Sequence, residues 1–545
     1  MKLMKFFRLF LLLVLLLPSS WVVAGPKLAV VFVVDQFAHH YLRKIRPHLK
    51  GGIAKLLDKG VVYNNAVFPH GMPSTPTGHA ALSTGTYGYI HGITGYGLVD
   101  KNNNYTLITH DNSPESAEFS LTGTYDYGKS ARNLMVDTLC DQFALTSEPG
   151  RSAEAYAISL KDRASVFLAG SKGKALWFDY NAGRLTSSKA YFDEFPEWLE
   201  KFNENKKISE GKTFTWKPRF KLESVPYCYN EVQNYQNCAR GTLIDIPFTI
   251  DSTDVAPFRL YERTPFANSL LIDAGIACVK NHFKENKNNR MLLWISLSSL
   301  DFAGHYFGPD CREQLDMLYH LDRQIGEFMN TMEKVVSTKD TVYILTADHG
   351  VMPIPEVLNA KGFVKPIRID ANELIQKIDI FASEEYGIKN IVKVFEAPQF
   401  FLNKAELSRF SSEKQIEIIY ELKEFVEAQP GIKHCWTLED LKEPTKHKDC
   451  YKKLFAKQMF EGRAGELTCF LHPYYMLTKY PTGTSHATPY RYDVHVPLVI
   501  YQPKRHERKL INNPVSMLQL AGSLADILEV PRPSAAVKTG LPGLF

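Results

Sequence analysis

The stretch TVYILTADHG, residues 341–350, joins a short apolar, β-branched run to Asp348, His349 and Gly350. A run of this length without polar alternation reads as a strand buried on both faces of a parallel sheet. Two further runs end in the same way. LAVVFVVDQ, residues 28–36, leads into Asp35, and MLLWISLSSLD, residues 291–301, leads into Asp301. Helical patterns lie between them, including GGIAKLLDKG at 51–60 and CREQLDMLYHLDRQIGEFMNTMEKV at 311–335. Strands alternating with helices predict a layered α/β fold around a mostly parallel sheet. Ligands of such sheets bind beyond the carboxyl ends of the strands, so three strand-end acids are placed to converge. One strand-end Asp alone is ordinarily a helix cap or a turn residue. Three of them, two accompanied by histidine, read as a metal site.

The ligand inventory supports that reading. Asp301 and His305 stand four apart in DFAGH and share one face if the segment is helical. Asp348 and His349 are adjacent at a turn that Gly350 helps to form. His486 lies among small residues in TGTSHATPY, 482–490, and Asp35 completes a set of three Asp and three His. That donor mix suits zinc. Two Zn2+ about 3.5–4 Å apart use such a set as three ligands each. His39, His40 and His495 read as structural or surface residues, and His79 and His91 as structural or supporting ones.

A candidate nucleophile lies in GMPSTPTGHAALSTG, 71–85, where Ser74, Thr75 and Thr77 precede a helical pattern. A helix N-terminus offers free N–H groups and favours anions. A metal-activated hydroxyl there is primed to attack phosphorus. Each hydroxyl is also an ordinary N-cap, and composition does not choose among the three.

The bulk properties bound the organisation. The chain has 545 residues and a formal charge of +5, which implies no nucleic-acid or other polyanion partner. Residues 1–24 read as a signal peptide: Lys2 and Lys5, the apolar FLLLVLLL, and a small-residue cleavage site at Val22-Val23-Ala24. The apolar run is too short for a comfortable membrane span, and no later run is long enough. The expectation is an exported protein, periplasmic or secreted, without a stable membrane anchor. Residues 25–545 read as one catalytic domain with insertions at about 171–262 and 355–480. The first is rich in Lys, aromatic and polar residues. The second contains a helical pattern, SSEKQIEIIYELKEFVEAQ, and strand patterns around IVKVFEAPQFFLN. Of eight cysteines, Cys228 and Cys238 are close enough to suggest a local disulfide, and no C-x-x-C pair points to a cysteine metal site.

Taken together, these motifs resemble the alkaline phosphatase superfamily, and within it the threonine-nucleophile, phosphate-irrepressible type, with nucleotide pyrophosphatase/phosphodiesterases more distant. The resemblance spans nearly the whole mature chain, from VVDQF to YDVHVPLVIY, and rests on the order and spacing of the motifs. It implies a layered α/β/α core with inserted cap segments. It also implies a zinc-dependent phosphomonoesterase that acts on small phosphate esters through a phosphothreonine intermediate. By this resemblance Thr75 is the nucleophile. Asp35, Asp348 and His349 hold the metal that binds it, and Asp301, His305 and His486 hold the other. SLKDR, 159–163, matches the segment that places a Lys and an Arg on the phosphate, here Lys161 and Arg163. Two cations suit the dianionic phosphoryl group of a monoester better than the monoanion of a diester. One position departs from the pattern. HGITGY, 91–96, ends in Tyr96, where the family has an Asn that binds a phosphate oxygen. A phenol donates one hydrogen bond and is larger. The competing readings are a phosphodiesterase or nucleotide pyrophosphatase of the same superfamily, a sulfatase, which Gly78 in STPTG disfavours by standing where an Arg is needed, and a degenerate member that binds phosphorylated ligands without turnover.

Overall fold

The computed structural model describes residues 25–99, 104–119, 128–227, 243–251, 257–362, 365–505 and 507–544. The expected signal peptide and the expected Cys228–Cys238 disulfide lie outside the described residues.

Nine strands form the central sheet: β1 (Leu28–Val34), β2 (Val61–Tyr63), β3 (Ala153–Ser159), β4 (Lys174–Asp179), β5 (Arg184–Thr186), β6 (Arg290–Leu297), β7 (Thr341–Thr346), β8 (Val499–Tyr501) and β9 (Lys509–Ile511). Their order is β5-β4-β3-β6-β1-β7-β8-β2-β9. The middle of the sheet, β4 through β7, is parallel, and β5 and β8 run antiparallel to their neighbours. Every residue of β1, β6 and β7 is buried, so both faces of these strands are covered. Burial of one such Val, Leu or Ile side chain is worth ~1.5–3 kcal/mol. The helix Arg312–Met332 packs on Gly52–Lys59 and on Pro265–Glu285, whereas Thr75–Thr84 packs on Asp162–Ala169. These two groups supply the helical layers.

β4 and β5 correct one expected boundary. The insertion anticipated at 171–262 begins too early, because residues 174–186 form an edge of the central sheet. Both strands are almost wholly buried, so the Lys-rich polar composition that suggested an insertion belongs to the residues beyond them. The segment anticipated at 355–480 contains a separate four-stranded sheet. Its strands are Val392–Glu396, Gln399–Leu402, Ile432–Thr437 and Leu467–Leu471, and residues between Ala371 and Leu477 form a hydrophobic cluster of their own. The helix Ser412–Glu427 starts where its Ser411 N-cap accepts from the Lys414 N–H. Among the described residues, no helix is long and apolar enough to cross a membrane.

Candidate active site at the strand ends

Because β6, β1 and β7 are adjacent and parallel, their carboxyl ends lie side by side. Asp35 follows β1 directly. β6 runs into α-helix Ser299–Phe307, whose first turn carries Asp301 and whose last turn carries His305. Asp348 and His349 follow β7. The loop after the four-stranded sheet returns His486 to the same place. Asp35, Asp348 and His349 are fully buried, and Asp301 and His486 nearly so.

The contacts are close. His305 Nε2 is 3.1 Å from Asp301 Oδ1, and His486 Nε2 is 4.0 Å from the same oxygen. His349 Nε2 is 3.4 Å from both Asp35 Oδ1 and Asp348 Oδ2. The rings of His349 and His486 stack with centroids 3.8 Å apart. Each histidine ties its Nδ1 to a main-chain carbonyl: His305 to Thr484 at 2.8 Å, His349 to Gly350 at 2.9 Å and His486 to Pro73 at 2.9 Å. A carbonyl only accepts, so each Nδ1 is the donor and each ring turns its Nε2 inward. Burial, the largest influence, lowers the pKa of His349 and of His486 and keeps both rings neutral. For His305 the Asp301 carboxylate outweighs burial and raises it. Asp301 is held well below the usual carboxylate range, because His305 and Lys161 overcome the penalty of burial. Asp348 is pushed well up by burial and by the neighbouring Asp35.

The donor set fits divalent metal ions. Asp301, His305 and His486 offer ligand atoms within 4.8 Å of one another, and so do Asp35, Asp301 and His349. Asp35 Oδ1, Asp348 Oδ2 and His349 Nε2 are buried without a hydrogen-bond partner. Buried orphan acceptors of this kind carry a large desolvation cost unless a cation answers them. The grouping differs in one respect from the expected division into two separate triads. Asp301 belongs to both clusters, and Asp348 stands beside the second.

Thr75 opens the helix Thr75–Thr84. The Ser74 N–H donates to Thr77 Oγ1 at 2.9 Å, and the Ser74 and Thr77 hydroxyls lie 3.1 Å apart. Two of the three candidate hydroxyls are thus engaged in capping. Thr75 Oγ1 instead receives a hydrogen bond from Lys161 Nζ at 3.3 Å. His79, a supporting residue, ties this helix to β6: its ring nitrogens lie 2.7 Å from the Thr75 carbonyl and 2.8 Å from Ser296 Oγ. Burial pushes its pKa down to about 4. Gly78 is required here because a Cβ would lie 2.3 Å from the Asp348 carbonyl oxygen. Gly78→Ala is expected to cost about 1–3 kcal/mol by overpacking and to lower activity by displacing the Asp348 turn. Thermal unfolding and steady-state assays of the variant test this.

Lys161 and Arg163 stand differently from each other. Lys161 Nζ lies 2.6 Å from Asp35 Oδ2 and 2.6 Å from Asp301 Oδ2, within the carboxylate cluster. Burial opposes its charge, and the Asp301 and Asp35 carboxylates more than offset that and raise its pKa. Arg163 faces open space. It lines a cavity of about 630 Å3 together with Ser74, Tyr96, Phe302, His305 and His486. Its guanidinium lies 5.2 Å from the Tyr96 ring centroid. Burial pushes the Tyr96 phenol up to about 12, so it is a neutral donor at physiological pH. Glu396, from the four-stranded sheet, holds the Tyr96 loop by accepting from the Tyr96 N–H, the Gly97 N–H at 3.1 Å and the Tyr105 hydroxyl at 3.1 Å.

Sequence reasoning missed Gln36. Its backbone is left-handed, with φ of 68°. Its N–H donates to Asp348 Oδ1 at 3.2 Å and its Nε2 to Asp301 Oδ1 at 2.7 Å. Its place directly after Asp35 was the only available signal.

Residues 29–496 match the family described as type I phosphodiesterase / nucleotide pyrophosphatase. The chain belongs to that family. Similar curated proteins include alkaline phosphatase PafA of Elizabethkingia meningoseptica, 25% identical over 526 residues that cover 94% of each chain. A protein named calcium-transporting ATPase of Myroides odoratus is 25% identical over 534 residues, again 94% of each chain. Alkaline phosphatase PhoV of Synechococcus elongatus is 24% identical, covering 94% of this chain and 92% of its own. The fold is that of the PafA crystal structure, with a TM-score of 0.83 at 24% identity over 95% of this chain and 98% of that one. Murine ectonucleotide pyrophosphatase / phosphodiesterase 5 shares the fold more loosely, with a TM-score of 0.51 at 14% identity over 94% of this chain and 97% of that one.

Proposed function

We propose that this protein is an exported, zinc-dependent phosphomonoesterase that passes the phosphoryl group through Thr75. The observation that carries the reading is the position of the Thr75 hydroxyl. It sits at a helix N-terminus, 3.3 Å from the Lys161 ammonium and beside the two ligand clusters. The alkaline phosphatase names of PafA and PhoV support it.

Asp301, His305 and His486 would hold one metal ion, and Asp35, Asp348 and His349 a second, with Asp301 near enough to serve both. Bound there, zinc supplies Lewis acidity: it polarises phosphoryl oxygens and lowers the pKa of hydroxyl groups. The chain's own groups do the rest. The helix N-terminus favours the incoming phosphate dianion. The Arg163 fork engages phosphoryl oxygens from the cavity wall. The Lys161 ammonium stabilises negative charge on Thr75 Oγ1. In-line attack forms the Oγ–P bond and breaks the bond from phosphorus to the ester oxygen, which leaves as the alcohol after taking a proton. Water then breaks the Oγ–P bond, releases inorganic phosphate and returns the Thr75 hydroxyl.

The test is hydrolysis of p-nitrophenyl phosphate and of bis-p-nitrophenyl phosphate by zinc-loaded and chelator-treated protein. The expected result is metal-dependent turnover that strongly favours the monoester. Preference for the diester moves the reading to a phosphodiesterase. That second reading draws on the family's description and on the room beside the cavity, where a further chamber of about 420 Å3 shares Arg163 and Phe302 with it. Turnover of neither ester points to a binding protein. Arg163→Ala is expected to lower kcat/KM for the monoester by about 10²-fold, the scale of one lost oxyanion donor, and to affect the diester less.

A further inference from the structure

The cavity contains more positive charge than one phosphoryl group uses. Among the described residues, three arginines, Arg163, Arg259 and Arg263, line it together with one carboxylate, Glu262. Arg163 stands on the Tyr96 side. Arg259 and Arg263 come from a different segment, just before the helix Pro265–Glu285, and supply none of the metal-ligand side chains.

We propose that Arg259 and Arg263 form a second anion subsite, which selects phosphate monoesters whose leaving group bears a further carboxylate or phosphate. The inference rests on the phosphomonoesterase reading above and deepens it. Two observations carry it. The first is how the two guanidiniums are held. Arg259 Nη1 lies 3.3 Å from Glu262 Oε1. The Glu262 side chain is only 2% exposed, whereas that of Arg259 is 61% exposed. A buried carboxylate thus anchors a largely solvent-facing cation. Burial raises the pKa of Glu262, against the pull of Arg259, a hydrogen bond from Tyr180 and the pull of Arg263. Arg263 lies over the Tyr306 ring at 4.2 Å, and such a stack fixes the plane of the fork. Preorganised guanidinium forks match the two oxygens of a carboxylate or phosphate. The second observation is place. Arg259, Glu262, Phe302 and Arg163 border both the 630 Å3 cavity and the adjoining 420 Å3 chamber. A leaving group that extends from the phosphoryl site toward that chamber passes Arg259.

The experiment measures kcat/KM of the zinc-loaded enzyme for two matched pairs, with phenyl phosphate as reference. Glucose 6-phosphate against 6-phosphogluconate adds a carboxylate, and fructose 6-phosphate against fructose 1,6-bisphosphate adds a phosphate. The expected result is a preference of about tenfold for the second anion, the scale of one charge-assisted hydrogen bond. It should reside mainly in KM and shrink as ionic strength rises. The pair that shows it identifies carboxylate or phosphate as the preferred group. Arg259→Met and Arg263→Met should each erode the ratio, and Arg259→Lys should restore part of it. Equal rates within both pairs, alongside good turnover of phenyl phosphate, overturn this inference alone. A preference that survives both methionine variants overturns the residue assignment. No turnover of phenyl phosphate overturns the phosphatase reading and this one with it.

Discussion

Thr75→Ala is expected to lower monoester turnover by at least ~10⁴-fold, the scale of losing a nucleophile that acts together with its partners. The variant should fold, because the helix start is capped by Ser74 and Thr77 rather than by Thr75. Its thermal midpoint should therefore stay close to that of the unaltered protein. Thr75→Ser keeps a hydroxyl beside Lys161 and should retain much of the activity. Ser74 also lines the cavity and offers the neighbouring hydroxyl as an alternative nucleophile. Rapid quench with a slowly dephosphorylated ester, followed by peptide mapping, distinguishes the two. Phosphate on Thr75 supports the mechanism. Full turnover by Thr75→Ala, or phosphate on Ser74, would sink it.

The second large effect belongs to Asp301. Its carboxylate binds Lys161 at 2.6 Å and Gln36 at 2.7 Å, approaches His305 at 3.1 Å and takes part in both ligand clusters. Loss of a residue that only orients a ligand already costs about 10–100-fold in metal affinity or activity. Asp301→Ala should exceed about 100-fold and should also lower the zinc retained per chain after dialysis. His305→Ala touches one cluster and should lose less metal. Equal zinc content in Asp301→Ala and the unaltered protein would show that this carboxylate is not a shared ligand. Removal of the partner of a buried cation carries a stability cost as well, about 3–5 kcal/mol when the charge is left uncompensated. Lys161 keeps Asp35 at 2.6 Å, so the cost here should fall below that range.

The parts of the site that the sequence made legible are those that secondary structure alone places. Asp35, Asp301 and Asp348 end three β-branched runs, and the parallel pairing of β6, β1 and β7 makes their meeting a matter of geometry. The four-residue step from Asp301 to His305 is likewise a helical repeat. His486 lies in a loop with no period to read, so its setting among small residues made it a candidate and the chain-long family resemblance assigned it to a metal. The destination of Lys161 depends on where buried negative charge accumulates, a tertiary property with no local pattern. Gln36 contributes through a left-handed backbone that no residue preference announces. The polar stretch around residue 180 misled because its composition reports the turn and the segments beyond it, whereas the two strands on either side of the turn are almost wholly buried. In the four-stranded sheet, Gln399 pairs with Thr468 across some seventy intervening residues, a register that no short window contains.

The acceptors behind the three inward-facing histidines have a consequence for how this enzyme changes over time. Their Nδ1 partners are the carbonyls of Thr484, Gly350 and Pro73, and a carbonyl belongs to the main chain whatever side chain it carries. No substitution at those three positions deletes the atom that aims the ring. For these three rings, drift in side-chain identity at the acceptor positions therefore reaches orientation by moving backbone. Cavity walls away from the ligands and Arg163 can change while these rings stay aimed, so new specificities can be sampled without first surrendering the chemistry.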